Sequence, residues 1–480
     1  MPQVLPPDLL PEPAPPAELP LGHHVLGEAP LVHSVVIEKP SIARPSPAAE
    51  PPVAAEPPVA SALPDVEPAW EGPGPRPPPL YEEWREQERL LPQHDLSLPY
   101  PDGAHAKYLW FANHGYEFGW GNYMQEMVLN AYLAYAAKRS YVFDNYTWAL
   151  GGPDITQWFN GSPIPARIPL SAFISGPIIG GTMRTPDVPR AVSREHFFSV
   201  CPEGNRTVID TSDIQNTVPG NAGVAEIIAH WVAALNATDA ACVELAGWSP
   251  ALFSYKITNT DRVLDVFPAM AESPILADFG WSPLILQQFA NNFKFFGPAS
   301  AAPLTLTTST KSLYGLLALH IRRGDFEGWC AEAYPNQMGF TGFNSFPVLP
   351  DKFVLAKTTE EDTMRHCLPS VAQIVEKVLG IAEAVPADSK IERVYIMTNA
   401  KNPFLAELVE ALRTARPWSV GTSRDLKLSW EAKYVSEAVD MYAAQRAEWF
   451  VGNGFSSLTS DSVMLRMANK ALDPKNTHFW

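Results

Sequence analysis

Four residues in one short run could together hold an anion: His320, Arg322, Arg323 and Asp325, within LLALHIRRGDFEGWC from Leu316 to Cys330. Two guanidiniums offer forked donors that match the oxygens of a phosphate. The residues that deliver them, Leu316 to Ile321, are apolar enough for a buried strand. A strand that carries such groups at its carboxyl end is how an open α/β sheet presents an anion site. The same residues also fit a core strand that runs into a solvated turn with a surface salt bridge. Two other places bear on the choice. Ser456 and Ser457 lie in GNGFSSLTS, after the apolar residues Trp449 to Val451. A strand-to-helix turn there would bring hydroxyls and free amides to the positive end of a helix dipole, although plain N-capping would use the same serines. The glycine-rich loop HGYEFGWGN, His114 to Asn122, is a third place where backbone could approach a ligand closely.

Other chemistries lose their main supports. The chain contains no D-x-D, the simplest carboxylate pair for a divalent cation on a diphosphate. It also lacks GxxxxGK[ST], GxSxG and HExxH. The formal net charge of -17 and a pI near 5.1 argue against a nucleic-acid or anionic-membrane partner, because phosphate backbones repel such a surface. A local basic pocket for one small anion is compatible with that charge. Four cysteines, Cys201, Cys242, Cys330 and Cys367, show no CxxC pair and no zinc spacing, and their number fits either two disulfides or four free thiols. N-x-Ser/Thr triplets stand at Asn145, Asn160, Asn205 and Asn236. The first residues have no basic region followed by an apolar one, and no stretch reaches the ~18 apolar residues of a membrane span.

The elements that must position these residues follow from periodicity. Residues 1–80 hold 23 of the 49 prolines and are expected to form a disordered Pro/Ala-rich stalk. A charged segment, YEEWREQERLL, reads as a docking helix. Tyr108 to Ala112 and Tyr141 to Phe143 read as strands. Between them Met124, Met127, Val128, Ala131 and Tyr135 fall at helical spacing, with Lys138 and Arg139 placed in the last turn to suit the helix dipole. Residues 150–220 read as a long irregular insertion, and 297–311 as a boundary between lobes. Beyond it, a helical stretch runs from Glu360 to about Ala382. A strand spans Arg393 to Thr398, and a helix capped by Asn402 has Pro403 at its first position. A helix through Val435 to Tyr442 and a final one around Val463 to Met467 complete the alternation. The expectation is an α/β protein with an N-terminal Rossmann-like lobe over 104–297 and a C-terminal one over 312–480.

Three segments in this order resemble the GDP-fucose protein O-fucosyltransferases and the wider fucosyltransferase group with an H-x-R-R strand end. They are KYLWFANHGYEFGWGNYMQ, LALHIRRGDF and DMYAAQRAEWFVGNGFSSLTS. The resemblance implies two Rossmann-like lobes of the GT-B type with GDP-fucose between them, no metal, and an ER or Golgi lumen setting. By that analogy Arg322 contacts the β-phosphate and stabilises the departing GDP. His320 and Asp440 would recognise the guanine edge, Ser456 and Ser457 would hold the diphosphate, and Asn122 would reach it from the other lobe. The acceptor would be a hydroxyl, on Ser or Thr of a protein or on a glycan. The chain departs from the family twice. Asn399 stands where an aspartate is common, and Glu117, the nearest candidate for a catalytic base, is not at the family's spacing. Two other readings therefore stay open: a catalytically silent protein that binds a nucleotide sugar, and a GT-B transferase using a different one.

Overall fold

Two five-stranded sheets, with every strand pair parallel, organise the chain. The structure is a computed structural model and describes residues 71–72, 74–158, 161–247, 251–297, 312–386, 390–468 and 472–480. All of these fall in one compact unit. Of the stalk expected over 1–80, residues 1–70 lie outside the described residues, as do Asn160 and nearly all of the 297–311 boundary; residues 74–80 instead pack on the fold, where Pro78 is buried and Trp430 Nε1 donates to Pro77 O at 2.9 Å.

The first sheet comprises β1 (Tyr108–Phe111), β2 (Ser140–Phe143), β3 (Val192–Ser193), β4 (Thr207–Asp210) and β5 (Cys242–Ala246), in the order β3-β2-β1-β5-β4. The second comprises β6 (Leu313–Ile321), β7 (Arg393–Thr398), β8 (Ser419–Thr422), β9 (Ala447–Gly452) and β10 (Thr477–Phe479), in the order β8-β7-β6-β9-β10. Counted within its lobe, the second order is 3-2-1-4-5, the doubly wound arrangement. Its switch point lies between β6 and β9, and open α/β sheets bind ligands outside the strand ends at such a point. Each sheet is the centre of a Rossmann-like lobe.

Strand β6 shows how the pattern builds the second lobe. Leu317, Leu319 and Ile321 pack with Ile374, Val378 and Leu408, whereas Leu316 and Ala318 join the opposite cluster with Val439 and Val463. Alternation about the strand therefore gives each face its own helices. On the first face lie α6 (Val371–Ala384) and α7 (Asn402–Ala415); on the second lie α8 (Ser436–Arg446) and α9 (Ser457–Ala468). Three earlier helices complete the frame used below: α1 (Glu82–Arg89), α2 (Trp120–Ala136) and α3 (Val224–Asn236). Two more, α4 (Phe326–Ala333) and α5 (Glu360–Cys367), follow β6.

Several local expectations are corrected. Helix α2 ends before Lys138 and Arg139. Arg139 is buried and donates to the carbonyls of Leu235 and Thr238, so it serves the end of α3 instead of its own helix. The helical stretch after Glu360 is two helices, α5 and α6, because Pro369 falls between them. Each begins with a reciprocal capping box, from Thr359 with Asp362 and from Ser370 with Gln373. Lys401 occupies the N-cap of α7, and Asn402 is its first residue. The last helix begins six residues before Val463. The region 150–220 is not featureless: it supplies β3 and β4, the two edges of the first sheet.

The docking segment is helical, as α1. Its Trp84 is buried, the Trp84 Nε1 donates to Glu431 Oε2 at 3.3 Å, and Arg85 donates to Asn145 Oδ1 at 3.1 Å. It thus touches both lobes. The four cysteines form two disulfides, Cys201–Cys242 and Cys330–Cys367. The second ties α4 to the end of α5. Of the glycosylation triplets, Asn205 and Asn236 are exposed, whereas the Asn145 amide is engaged by Asp144 and Arg85. Among the described residues no helix is long and apolar enough to cross a membrane.

Candidate anion site at the switch point of the second sheet

The carboxyl ends of β6 and β9 bring together most of the residues singled out in the sequence. His320, the last residue but one of β6, lies on the face toward α9, where its Nδ1 is 2.7 Å from Thr459 Oγ1. Its backbone carbonyl accepts from Trp480 Nε1 at 2.9 Å. Burial, reinforced by the charge of Arg322, pushes the imidazole down to about 3, so the ring is neutral at physiological pH. Arg322 follows immediately, with its side chain 34% exposed. It donates to Asp325 Oδ2 at 2.7 Å and lies 5.8 Å from the ring of Phe326. Arg323 turns the other way: its guanidinium meets the Pro369 carbonyl and lies 4.1 Å over the ring of Phe404, and burial lowers its pKa. One arginine is built into the protein, and the other keeps an open face. Gly324 makes that divergence possible, since it turns the chain at φ +70.

Across the switch point, the loop after β9 is tied down carbonyl by carbonyl. Asn344 donates to Gly454 O and Ser456 O, Thr341 donates to Phe455 O, and Asn453 donates to Cys367 O. Ser456 is buried and Ser457 half-buried at the start of α9. The first-turn amides of a helix have no partner within it, so this end presents donors beside Arg322's strand.

Helix α2 of the first lobe packs against the same turn. A Cβ on Gly121 would stand 2.6 Å from Leu458 N and 2.7 Å from Ser457 Oγ, and Gln125 donates to Ser460 Oγ at 2.9 Å. Asn122, next to Gly121 in the first turn of α2, is half-buried and has no side-chain hydrogen bond among the described residues. Glu117 is placed differently. It sits in the exposed loop before α2 in a left-handed conformation, φ 62°. Its amide donates to Thr147 O at 3.0 Å, and no hydrogen bond or ion pair joins its carboxylate to Arg322.

Asp440 lies on α8, where Tyr395 of β7 donates to its Oδ1 at 2.6 Å. It retains partial exposure but is ringed by protein. Burial, opposed by the Tyr395 hydrogen bond and aided by Glu437, pushes its carboxyl up to about 7. Glu437, one turn earlier, is raised to about 7 by burial as well.

Sequence reasoning missed three supports. Thr459 belongs to the SSLT run but signals nothing about its partner, and the Tyr395–Asp440 bond spans 45 residues. Asn399 read as a lost contact, yet it is the most heavily used side chain at this strand end. A wide groove of about 1020 Å3 also exists, along α6 and floored by Trp449, His478 and Trp480. None of the switch-point residues lines it. Among the described residues no three His, Cys, Asp or Glu side chains converge as a metal site requires.

Fold and site together define a two-lobed α/β protein with a basic strand end beside a helix start at the switch point of its second sheet. No family model and no curated protein matches the chain. Among solved structures, POFUT1 in complex with GDP aligns with a TM-score of 0.48 at 16% identity, covering 78% of this chain and 98% of that one. POFUT1 in complex with GDP-fucose gives 0.48 at 16%, covering 78% and 97%. The fucosyltransferase NodZ from Bradyrhizobium gives 11% identity over 76% and 93%, with a TM-score of 0.36. At such similarity the chemistry must come from this chain's own residues.

Proposed function

We propose that this chain is a glycosyltransferase that moves L-fucose from GDP-fucose to a hydroxyl acceptor, Ser or Thr of a protein, with inversion and without a metal. The observation that supports this reading is the presence of Arg322 and the first turn of α9 at the carboxyl ends of the paired strands β6 and β9. Breaking the bond from sugar C1 to the phosphate oxygen leaves negative charge on the diphosphate. A preorganised guanidinium and helix-end amides stabilise that charge without needing to reorganise. Attack by the acceptor hydroxyl from the opposite face forms the new C1–O bond, and its proton passes to a base, for which Glu117 is the candidate. Asp440 and the neutral His320 supply acceptor and imidazole groups for the guanine edge. The roles of Ser456, Ser457 and Asn122 at the diphosphate belong to the same reading.

The test is calorimetric titration of GDP against UDP, followed by GDP release from GDP-fucose with and without EDTA. Preference for GDP and turnover that survives EDTA are expected; preference for UDP would move the reading to another nucleotide sugar. Glu117, exposed and without a side-chain hydrogen bond or ion pair among the described residues, favours one alternative, a protein that binds the nucleotide sugar without transferring it. GDP binding without turnover across protein and glycan acceptors would select it.

Asp440 gives a pH prediction. Guanine offers donors at N1 and its exocyclic amine, so the ionised carboxylate is the binding form and protonation removes an acceptor. With the pKa at about 7, affinity for GDP should rise about tenfold between pH 6 and pH 8 and then level off. The GDP phosphate titrates near 6 itself, so the quantity to read is the ratio to Asp440→Asn at each pH. A ratio that stays flat removes Asp440 from the nucleotide site.

A further inference from the structure

Asn399 begins the loop after β7, directly beside the end of β6, since Thr398 pairs with Ile321 in the sheet register. Its amide makes three hydrogen bonds to the next strand's loop. Oδ1 accepts from Arg323 N at 2.7 Å. Nδ2 donates to Arg323 O at 2.7 Å and to Asp325 Oδ1 at 3.0 Å. The other oxygen of Asp325 accepts from Arg322 Nη2 at 2.7 Å. One carboxylate thus carries the Asn399 amide on one side and the Arg322 guanidinium on the other.

The amide orientation is set by these partners. Reversed, it would point a donor at the Arg323 N–H and an acceptor at both a carbonyl and a carboxylate. The site requires one short, planar group that accepts and donates at once, which asparagine provides and ionised aspartate does not. The turn is wrapped around this amide, with the space a Cβ on Gly324 would fill lying 3.4 Å from Nδ2. Arg323 is anchored separately, on Pro369 and Phe404. What Asn399 adds is control of Asp325, and through it of an arginine that is otherwise one-third exposed and free to turn.

We propose that Asn399 is a positioning residue for the reaction: by donating to Asp325 it fixes the carboxylate that orients the Arg322 guanidinium toward the departing phosphate. This rests on the transferase reading above. It also assigns a task to the position where the family resemblance had suggested a loss. An exposed ion pair adds little to stability, so the effect of disturbing it belongs in turnover.

The test is Asn399→Asp. The new carboxylate still accepts from the Arg323 amide, but it loses the donor and sets a second negative charge against Asp325. GDP release from GDP-fucose at pH 8 should fall about tenfold or more in kcat, because a misaimed guanidinium no longer meets the forming charge. The melting temperature should fall as well, because the two bonds that Nδ2 donates to Arg323 O and Asp325 Oδ1 are lost, so the readout that separates positioning from stability is the pH profile. Two carboxylates in contact share a proton, and the protonated one donates as the amide does. The deficit should therefore shrink as the pH is lowered toward about 5.5, by the rule that a like charge raises a carboxyl's pKa. The other ionisable groups on the packed elements are Arg322, Arg323 and Glu327 after β6, Lys401 on the same loop, and Arg424 and Asp425 after β8. They are common to both proteins, as is Asp440, and divide out of the ratio to wild type. Asn399→Ala, with neither donor nor acceptor, should show the deficit without the acid-side recovery.

Wild-type rates for Asn399→Asp at every pH would overturn the inference and leave the transferase reading standing. A deficit constant with pH would also overturn it, by removing the donor from the account. If wild type neither binds GDP nor releases it from GDP-fucose, the reading itself falls and the inference with it.

Discussion

Arg322→Ala should lower GDP release from GDP-fucose by about 10²–10³ in kcat, equivalent to about 2.7–4 kcal/mol of barrier, the loss seen when one preorganised oxyanion donor is removed. Arg322 is the guanidinium at the switch point with an open face; its neighbour Arg323 is occupied by Pro369 and Phe404. On the proposed reading the effect should fall mainly on kcat, because the charge that Arg322 would meet grows as the sugar–phosphate bond breaks. GDP itself, which carries that charge in full, should also bind more weakly to the variant, whereas the intact sugar nucleotide should be less affected. Arg322→Lys should recover only part of the rate, since an ammonium keeps the charge but loses the fork. Folding should be nearly untouched, because the partner in the fold is the exposed carboxylate of Asp325. Steady-state assays with and without EDTA, beside thermal unfolding of the same samples, check each statement. Unchanged turnover in Arg322→Ala, or turnover abolished by EDTA, would sink the mechanism.

How much of this site could be read beforehand depended on whether its causes were local. Strand β6 was legible because Leu316 to Leu319 are apolar without interruption and lead into charge; a strand covered on both faces leaves that mark. The first half of α9 was not. Thr459, Ser460, Asp461 and Ser462 are polar, yet all four are fully buried, so no helical stripe of apolar residues announces them. They are buried because α9 is packed between β6, α8 and α2, and polar side chains are admitted there by partners such as His320 and Gln125. Among the described residues neither oxygen of Asp461 has a hydrogen-bond partner, and burial drives its carboxyl far toward the neutral form. Pairing of the cysteines was equally hidden. Cys330 and Cys367 are 37 residues apart, and only the packing of α4 beside α5 brings their Cα atoms to 5.8 Å. Asn399 is the instructive case. As a letter in the sequence it was a missing carboxylate; with its three hydrogen bonds in view it both accepts from Arg323 and donates to Asp325, which an ionised aspartate cannot do.

Gly121→Ala should disrupt the site from the opposite lobe, and Gly119→Ala should not. Both glycines belong to the GWGN signature, and both have φ values that any residue can adopt, so a sequence alone treats them alike. Around Gly119 a Cβ would find nothing within 4 Å, and its backbone is extended, φ -61 and ψ 153. At Gly121 the added carbon would fall 2.6 Å from Leu458 N and 3.0 Å from Leu458 Cα. These are backbone atoms of α9's first turn and cannot swing aside as a side chain would. The helix start must retreat, and with it the amides and hydroxyls of Ser456 and Ser457. Such overpacking costs about 1–3 kcal/mol, against which the better helix propensity of alanine returns at most about 1 kcal/mol. The expected result is a lower midpoint in urea and a clear loss of GDP affinity for Gly121→Ala, with Gly119→Ala close to wild type in both. If the two variants bind GDP equally well, the contact of α2 with α9 does not shape the phosphate site, and the two lobes contribute to it separately.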